Sequence, residues 1–157
     1  MLTLKSEREV SIMKKAGEIV ELAHQAVEKA IRAGISTKEL DDIAYKVIVE
    51  NGATPSFLNY NGFPGSICAS INEVVIHGIP KKNIKLKDGD IISIDIGALY
   101  KGYHGDAART IPVGNVSADK LKLIEVTRQS LYEGLKFAKP GNHLSDISHA
   151  IETYALG

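Results

Sequence analysis

The stretch Asp90–Thr110, DIISIDIGALYKGYHGDAART, contains two strand-like segments separated by a turn. In the first segment, isoleucines alternate with small or polar residues. A strand would therefore place Ile92, Ile94 and Ile96 on one face, and Ser93, Asp95 and Gly97 on the other. The second segment, Tyr103–Val113, can pair antiparallel with the first through Leu99–Gly102. The pattern predicts a hairpin with one apolar face.

Each segment of this hairpin carries one aspartate that strand propensity does not explain, Asp95 in the first and Asp106 in the second. Aspartate is seldom fully buried unless it is paired or bound to a cation. Two aspartates on paired strands can face one point and supply oxygen ligands for divalent metals. One alternative stays open, in which Asp106 is a turn or bulge residue after Gly105 and Asp95 is simply exposed.

Helical periodicity precedes the hairpin. Residues 6–33 are predicted as one long helix with Ser6 as its N-cap. A second helix begins at the capping box Ser36–Glu39 and ends at Asn51–Gly52. His24 lies on the apolar stripe of the first helix and is interpreted as a packed core histidine rather than a ligand. That stripe comprises Val10, Met13, Gly17, Val20, His24, Val27 and Ile31.

Glycine and proline recur throughout residues 53–83, which are therefore predicted as loops and short strands. One strand is predicted at Ser66–Ser70, resuming at Val74–Ile76. His77 follows this run next to a Gly-Ile-Pro turn, where it is placed for acid–base or hydrogen-bond chemistry. An exposed turn histidine is the alternative on pattern alone. The basic segment Lys81–Lys87 is interpreted as a solvated loop, with a nucleic-acid patch as a minor alternative.

The helical pattern returns after the hairpin, which indicates an internal repeat. One helix starts at Ser117 and ends at Pro140–Gly141, and a last helix carries Ile147, Ile151 and Tyr154. A shift of 107 positions places Gly34 on Gly141 and Leu40 on Ile147. We therefore expect residues 1–157 to form a single, incomplete domain. Residues 6–113 form the first α/β repeat, and residues 117–157 begin the second.

Composition excludes several classes of protein. The net charge of zero gives no reason to expect nucleic-acid binding, and no apolar run reaches the length of a membrane span. The N-terminal residues lack the apolar segment of a signal peptide. Cys68 is the single cysteine, which fits a reducing cytoplasm.

Four motifs together resemble type I methionine aminopeptidase, from about Ser6 to the last residue. They are Asn59–Ser66 (NYNGFPGS), Cys68–Pro80 (CASINEVVIHGIP), Asp90–Gly97 (DIISIDIG) and Gly102–Asp106 (GYHGD). The second motif is the most specific of the four. The resemblance implies the pita-bread fold, an α/β architecture of two pseudo-symmetric halves around a dinuclear metal site. This chain would hold one complete half and the helical part of the other.

The resemblance also assigns roles to residues. Asp95 and Asp106 match the two aspartate ligands of the family, and His77 matches a histidine that contacts substrate beside the metals without ligating them. The pocket for the methionine side chain is matched by Tyr60, Phe63 and Cys68. The implied reaction is removal of N-terminal methionine from nascent proteins. The resemblance implies two divalent ions (Co, Mn, Fe, Zn or Ni), a cytoplasmic location and proximity to the ribosome.

Some parts of the family pattern differ or are missing. Asn61 stands where the family often has histidine, and Phe63 where tyrosine is common. The family's remaining ligands, one histidine and two glutamates, are expected beyond Gly157. The chain alone is therefore expected to bind metal weakly or partially and to be inactive. The alternatives are a non-catalytic fragment, a pita-bread binding module, or a half-protein whose homodimer covers the exposed face.

Overall fold

The computed structural model of this protein describes residues 3–157, which contain four helices and four strands. The helices are α1 (Glu7–Ala30), α2 (Thr37–Glu50), α3 (Ala118–Leu135) and α4 (Leu144–Leu156). The strands are β1 (Thr54–Pro55), β2 (Ile67–Ile71), β3 (Ile91–Tyr100) and β4 (Tyr103–Pro112), and a single 3₁₀ turn spans Tyr60–Gly62. These elements form two compact units. The first ends at Asn115, and the second comprises Val116–Gly157.

Strand β3 is the centre of the sheet in the first unit. It pairs antiparallel with β4 along its whole length, from Ile91 opposite Pro112 to Tyr100 opposite Tyr103. On its other side β3 pairs with β2 and, near its end, with β1. The hairpin predicted from the alternating isoleucines is therefore confirmed.

One face of this sheet packs against α1 and α2 to form the core. The core face of β3 consists of Ile92, Ile94, Ile96 and Ala98, all fully buried. Helix α2 adds Leu40, Ala44 and Ile48, as the helical periodicity predicted. Burial of these apolar side chains is the main favourable term in folding. The opposite face of β3 carries Ser93 and Asp95.

Both helices of this unit begin as their sequences predict. The Ser6 hydroxyl accepts from the Glu9 amide while the Glu9 side chain accepts from Ser6, and Ser36 and Glu39 form the same reciprocal pair. The predicted apolar stripe of α1 is partly wrong, because Val10 is 53% exposed and Met13 is 38% exposed. The helix instead approaches the sheet through small residues such as Ala16 and Ala23, together with Ile19.

The predicted strand at Val74–Ile76 is absent from the described part of the chain. Asn72 turns the chain with a positive φ of 49°, and the next residues form an exposed loop in which Val75 is 84% accessible. The chain returns to the sheet at Gly78, whose carbonyl accepts a 2.8 Å hydrogen bond from the Ala69 amide. Apolar character alone therefore does not indicate a strand here.

The second unit consists of α3 and α4, which pack against each other. Helix α3 ends at Leu135, earlier than the predicted Pro140–Gly141. The chain tightens there into i+3 hydrogen bonds, with Phe137 N donating to Gly134 O and Ala138 N to Leu135 O. Ser117 occupies the N-cap position, but its side chain makes no capping hydrogen bond.

No helix within residues 3–157 is both long enough and apolar enough to cross a membrane.

Candidate functional site

The strand register brings the two aspartates of the hairpin to one face of the sheet. Asp95 pairs with Ala108 and Gly97 pairs with Asp106, so Asp95 and Asp106 are diagonal neighbours. Side chains two positions apart across neighbouring strands point the same way and lie within reach of each other. The alternative in which Asp106 is a bulge residue is wrong, because the β3–β4 pairing continues unbroken through it.

The Asp106 carboxylate and the surrounding protein perturb the ionisation of Asp95. Burial, followed by the negative charge of Asp106 and a hydrogen bond with it, raises the pKa of Asp95 from 3.8 to about 6. His77 acts in the opposite direction and favours the ionised form of Asp95. The negative charge of Asp106 disfavours ionisation of Asp95, because two neighbouring carboxylates repel each other. A cation bound between them would relieve that repulsion.

Cys68 lies on β2 directly opposite Asp95 in the strand register. Its thiol is buried, and burial together with the charges of Asp95 and Asp106 raises its pKa to about 11. The thiol is therefore neutral at physiological pH and behaves as a small, polarizable apolar group beside the carboxylates.

His77 is held beside the site in a strained backbone conformation. Its φ of 58° is unusual for a residue with a side chain. The next residue, Gly78, fixes the loop against β2, because its amide donates to the Ser70 hydroxyl at 3.1 Å. A Cβ at Gly78 would lie 2.2 Å from the Ala69 carbonyl oxygen, so only glycine fits. Strain of this kind commonly accompanies functional sites.

Tyr60 and Phe63, the other predicted pocket residues, lie on a turn that precedes β2. The Phe63 amide donates to the Tyr60 carbonyl at 3.0 Å, and the Asn59 amide donates to the Phe63 carbonyl at 2.8 Å. Phe63 is half-buried, but Tyr60 is 70% exposed. The structure therefore brings Cys68 and His77 to the aspartates but leaves the Tyr60 ring largely open to solvent.

The residues at this site suit a metal ion by donor type but not by donor number. Carboxylate oxygens are ligands for hard and borderline divalent cations, and the negative charge of Asp106 next to Asp95 favours a cation at this place. However, no group of three or more His, Cys, Asp or Glu side chains in residues 3–157 is arranged to hold a metal ion. The two carboxylates can therefore supply part of the ligand shell of a metal ion, and further ligands would be needed to complete it.

Asp41 on α2 is a buried acidic residue that the sequence interpretation missed. Its Oδ1 accepts from the backbone amides of Ser66, at 2.6 Å, and Ile67, at 3.1 Å. Asp41 therefore fixes the start of β2, one residue before Cys68. The available signal was its position on the buried stripe of α2, between Leu40 and Ala44. An acidic residue on an apolar stripe is seldom buried without partners.

Comparisons with known proteins identify sequences and structures that are similar to this chain. Residues 11–156 match Metallopeptidase family M24. The chain is 61% identical over 154 residues to methionine aminopeptidase 1 of Bacillus subtilis, covering 98% of this chain and 62% of that protein. It is 52% identical over 153 residues to the methionine aminopeptidase of Borreliella burgdorferi, covering 98% of this chain and 61% of the relative.

Solved structures of related enzymes have the same fold as this chain. The crystal structure of methionine aminopeptidase from Rickettsia prowazekii superposes with a TM-score of 0.95 at 36% identity, over 98% of this chain and 62% of that one. Prolidase from Pyrococcus furiosus superposes at 0.85 with 25% identity, over 96% and 43%. The predicted α/β class and pita-bread fold are confirmed. The chain spans about 62% of the length of the first relatives it matches.

Proposed function

Because this chain belongs to metallopeptidase family M24, we propose that it forms one side of the active site of a methionine aminopeptidase. The proposed reaction is removal of N-terminal methionine from nascent proteins by metal-assisted hydrolysis of the first peptide bond. The single observation that carries this proposal is the pair Asp95 and Asp106, two neighbouring carboxylates on one face of the sheet. The similarity to methionine aminopeptidases favours this substrate over others in the family.

In this proposal Asp95 and Asp106 would supply carboxylate oxygens to a site for two divalent ions, drawn from Co, Mn, Fe, Zn or Ni. Bound ions of this kind lower the pKa of water and polarise a carbonyl. Burial and the charge of Asp106 raise the pKa of Asp95, and bound cations would act in the opposite direction and favour the ionised form of Asp95. With two carboxylates alone, we expect weak binding, with a dissociation constant on the order of 1 mM.

We assign His77 to the substrate rather than to the metals. Its position beside Asp95 suits a donor that orients the peptide and stabilises charge developing on the scissile carbonyl. Cys68, Phe63 and Tyr60 are the proposed contacts for the methionine side chain. The neutral thiol of Cys68 and the two rings suit a thioether through dispersion and sulfur–aromatic contact. Tyr60 must move toward the pocket for this, because its ring is exposed.

The proposed partners are N-terminal methionine peptides of nascent chains, met in the cytoplasm close to the ribosome. A second copy of the chain is a further proposed partner. Among the described strands β4 has only β3 as a neighbour, and an open strand edge is a template for pairing. Sedimentation of the chain at several concentrations tests the homodimer, and a purely monomeric chain would rule it out.

The proposal is tested first by metal binding, measured for Mn²⁺ by electron paramagnetic resonance. Wild type, Asp95→Asn and Asp106→Asn are compared with Asp42→Asn, an exposed aspartate on α2. We expect weak binding to wild type and to Asp42→Asn, and at least about tenfold weaker binding to the two site variants. Equal binding to wild type and Asp106→Asn would contradict the ligand assignment.

A second arm measures release of methionine from a Met-Ala-Ser peptide with Mn²⁺, Fe²⁺ or Co²⁺ added. Turnover that disappears in Asp106→Asn would show that residues 1–157, alone or as a dimer, complete a working site. Metal binding without turnover would support the ligand roles of Asp95 and Asp106. It would also indicate that the rest of the catalytic machinery comes from other residues.

A further inference from the structure

The two carboxylates of the site lie on strands with different support. Strand β3, which carries Asp95, pairs with β4 on one side and with β2 and β1 on the other. Strand β4, which carries Asp106, has β3 as its one strand neighbour among the described residues. The sheet therefore holds β3 from both sides, whereas β4 is paired along its whole length with β3 but has no strand on its other side among residues 3–157, where another element can add support.

Helix α1 supplies that support along the back of β4. It contacts β4 at every second residue, on the face opposite Asp106. These contacts are Glu9 with Tyr103, Ala16 with Gly105, His24 with Ala107, and Glu21 with Arg109. Asp106 lies between the second and third of these contacts. A shift of β4 along or away from α1 would therefore move the Asp106 carboxylate relative to Asp95.

His24 makes the buried, directional contact of this set. Its Nε2 lies 2.9 Å from the Ala107 carbonyl oxygen, which can only accept, so Nε2 carries the hydrogen. The side chain is 1% exposed, and its Nδ1 has no hydrogen-bond partner among residues 3–157. Burial lowers the pKa of His24, which keeps the ring neutral in this form. The Glu9 and Glu21 contacts are more exposed and therefore weaker constraints.

We propose that His24 is a positioning residue for Asp106. Its hydrogen bond to Ala107 holds the back of β4 against α1 and so supports the position of the Asp106 carboxylate relative to Asp95. This inference rests on the proposed function, because Asp106 acts as a metal ligand only there. In this proposal His24 affects metal affinity although its side chain lies on the opposite side of the sheet from Asp95 and Asp106.

The test compares His24→Leu, which keeps apolar volume but removes the donor, with His24→Gln, whose amide nitrogen can replace Nε2. Ile48→Val on α2 is the matched control, since it removes a fully buried methyl group from a helix that carries no contact of the α1–β4 set. Two quantities are measured on the whole chain: the Mn²⁺ dissociation constant, and amide hydrogen exchange of residues 103–112 against residues 67–71.

We expect His24→Leu to weaken Mn²⁺ binding by about tenfold or more and to accelerate exchange selectively in β4. His24→Gln should stay within about threefold of wild type in affinity, because the donor is restored. Ile48→Val should leave affinity unchanged. Wild-type affinity in His24→Leu with unchanged β4 exchange would overturn the inference. An equal loss of affinity in Ile48→Val would overturn it as well, because general stability would then be the cause.

The hydrogen-exchange arm separates this inference from the proposed function. If wild type binds no Mn²⁺, the proposed metal site fails, yet the exchange pattern still decides whether His24 positions β4. A selective β4 increase in His24→Leu that His24→Gln reverses supports positioning, and a uniform increase across the sheet overturns it. If His24→Leu does not fold, His24→Asn replaces it. The Asn side chain is shorter, so its amide nitrogen does not extend to the place of Nε2 and cannot bond to the Ala107 carbonyl.

Discussion

Gly105 lies directly against the backbone of Ala16. A Cβ built on Gly105 would be 2.5 Å from the Ala16 carbonyl carbon and 2.6 Å from the Gly17 nitrogen. Real Cβ atoms do not approach backbone so closely, so helix α1 and strand β4 touch here without an intervening side chain. The glycine before Asp106 therefore sets how closely the helix approaches the strand that carries the second proposed ligand.

We expect Gly105→Ala to destabilise the protein by about 1–3 kcal/mol, because the contacted atoms are backbone and cannot rotate away. Gly17→Ala is the matched control from the helix side of the same contact. Its added Cβ meets nothing within 4 Å, and the exchange should stabilise α1 by about 0.5–1 kcal/mol. Urea unfolding measures both free energies. Similar stability of Gly105→Ala and wild type would contradict the close packing.

Removal of the Asp41 side chain should be costly, since it leaves the buried amides of Ser66 and Ile67 without their acceptor. For Asp41→Ala we expect a loss of about 2–4 kcal/mol in the free energy of unfolding. The neighbouring Asp42 bonds to the same Lys38 at 2.6 Å but is exposed, and Asp42→Ala should cost no more than about 0.5 kcal/mol. Equal effects in urea unfolding would show that the ion pair, and not the amide contacts, matters.

Asp106→Asn should stabilise the metal-free protein at neutral pH. The pKa of Asp95 is raised from 3.8 to about 6 in the folded state, so the free energy of unfolding falls as the pH rises between these values. Since part of this shift comes from Asp106, its neutralisation should restore on the order of 1 kcal/mol above pH 6. The gain should shrink toward pH 3.8, where Asp95 is half protonated even in the unfolded chain.

This prediction is checked by urea unfolding in the presence of a chelator, with Asp42→Asn as the exposed control. A site built for cations is expected to be less stable without them, and the stability gained by Asp106→Asn should be accompanied by loss of Mn²⁺ binding. If Asp106→Asn is less stable than wild type at every pH, the two carboxylates do not repel each other as their arrangement indicates.

Glu9 should make stability sensitive to acid. The hydrogen bond from Tyr103, followed by those from Ser6, lowers the pKa of Glu9 from 4.5 to about 2. The folded protein therefore favours ionised Glu9, and this stabilisation is complete above pH 4.5 and is lost as the pH falls toward about 2. We expect Tyr103→Phe to be less stable than wild type at neutral pH and to approach it near pH 2.

The measurement is a series of urea unfolding curves for both proteins across this pH range. Glu9→Gln serves as the control, because it removes the charge at every pH and should flatten the acid dependence. If the difference in the free energy of unfolding between wild type and Tyr103→Phe is the same at every pH, the stabilisation by the Tyr103 hydroxyl does not depend on ionisation of Glu9.

Sequence patterns predicted the features that depend on interactions between neighbouring residues. The predictions of a strand from the alternating isoleucines of β3, of the N-cap Ser6, of the capping box at Ser36 and of the core position of His24 are confirmed. Sequence patterns failed where contact with a distant part of the chain determines the local structure. Val74–Ile76 is apolar and β-branched, yet it forms a loop, because Gly78 rather than these residues pairs with β2.

The sequence by itself determined that Asp95 and Asp106 occupy one hairpin, because strand alternation and a short turn are properties of neighbouring residues. It also carried the motifs that indicate family M24, including the run that ends at His77. Tertiary structure alone decided the closeness of α1 to Gly105, the buried acceptor role of Asp41, and the contact between His24 and Ala107. Each of these joins residues far apart in the chain, and the periodicity of one helix can indicate that a side chain is buried but not which distant residue it contacts.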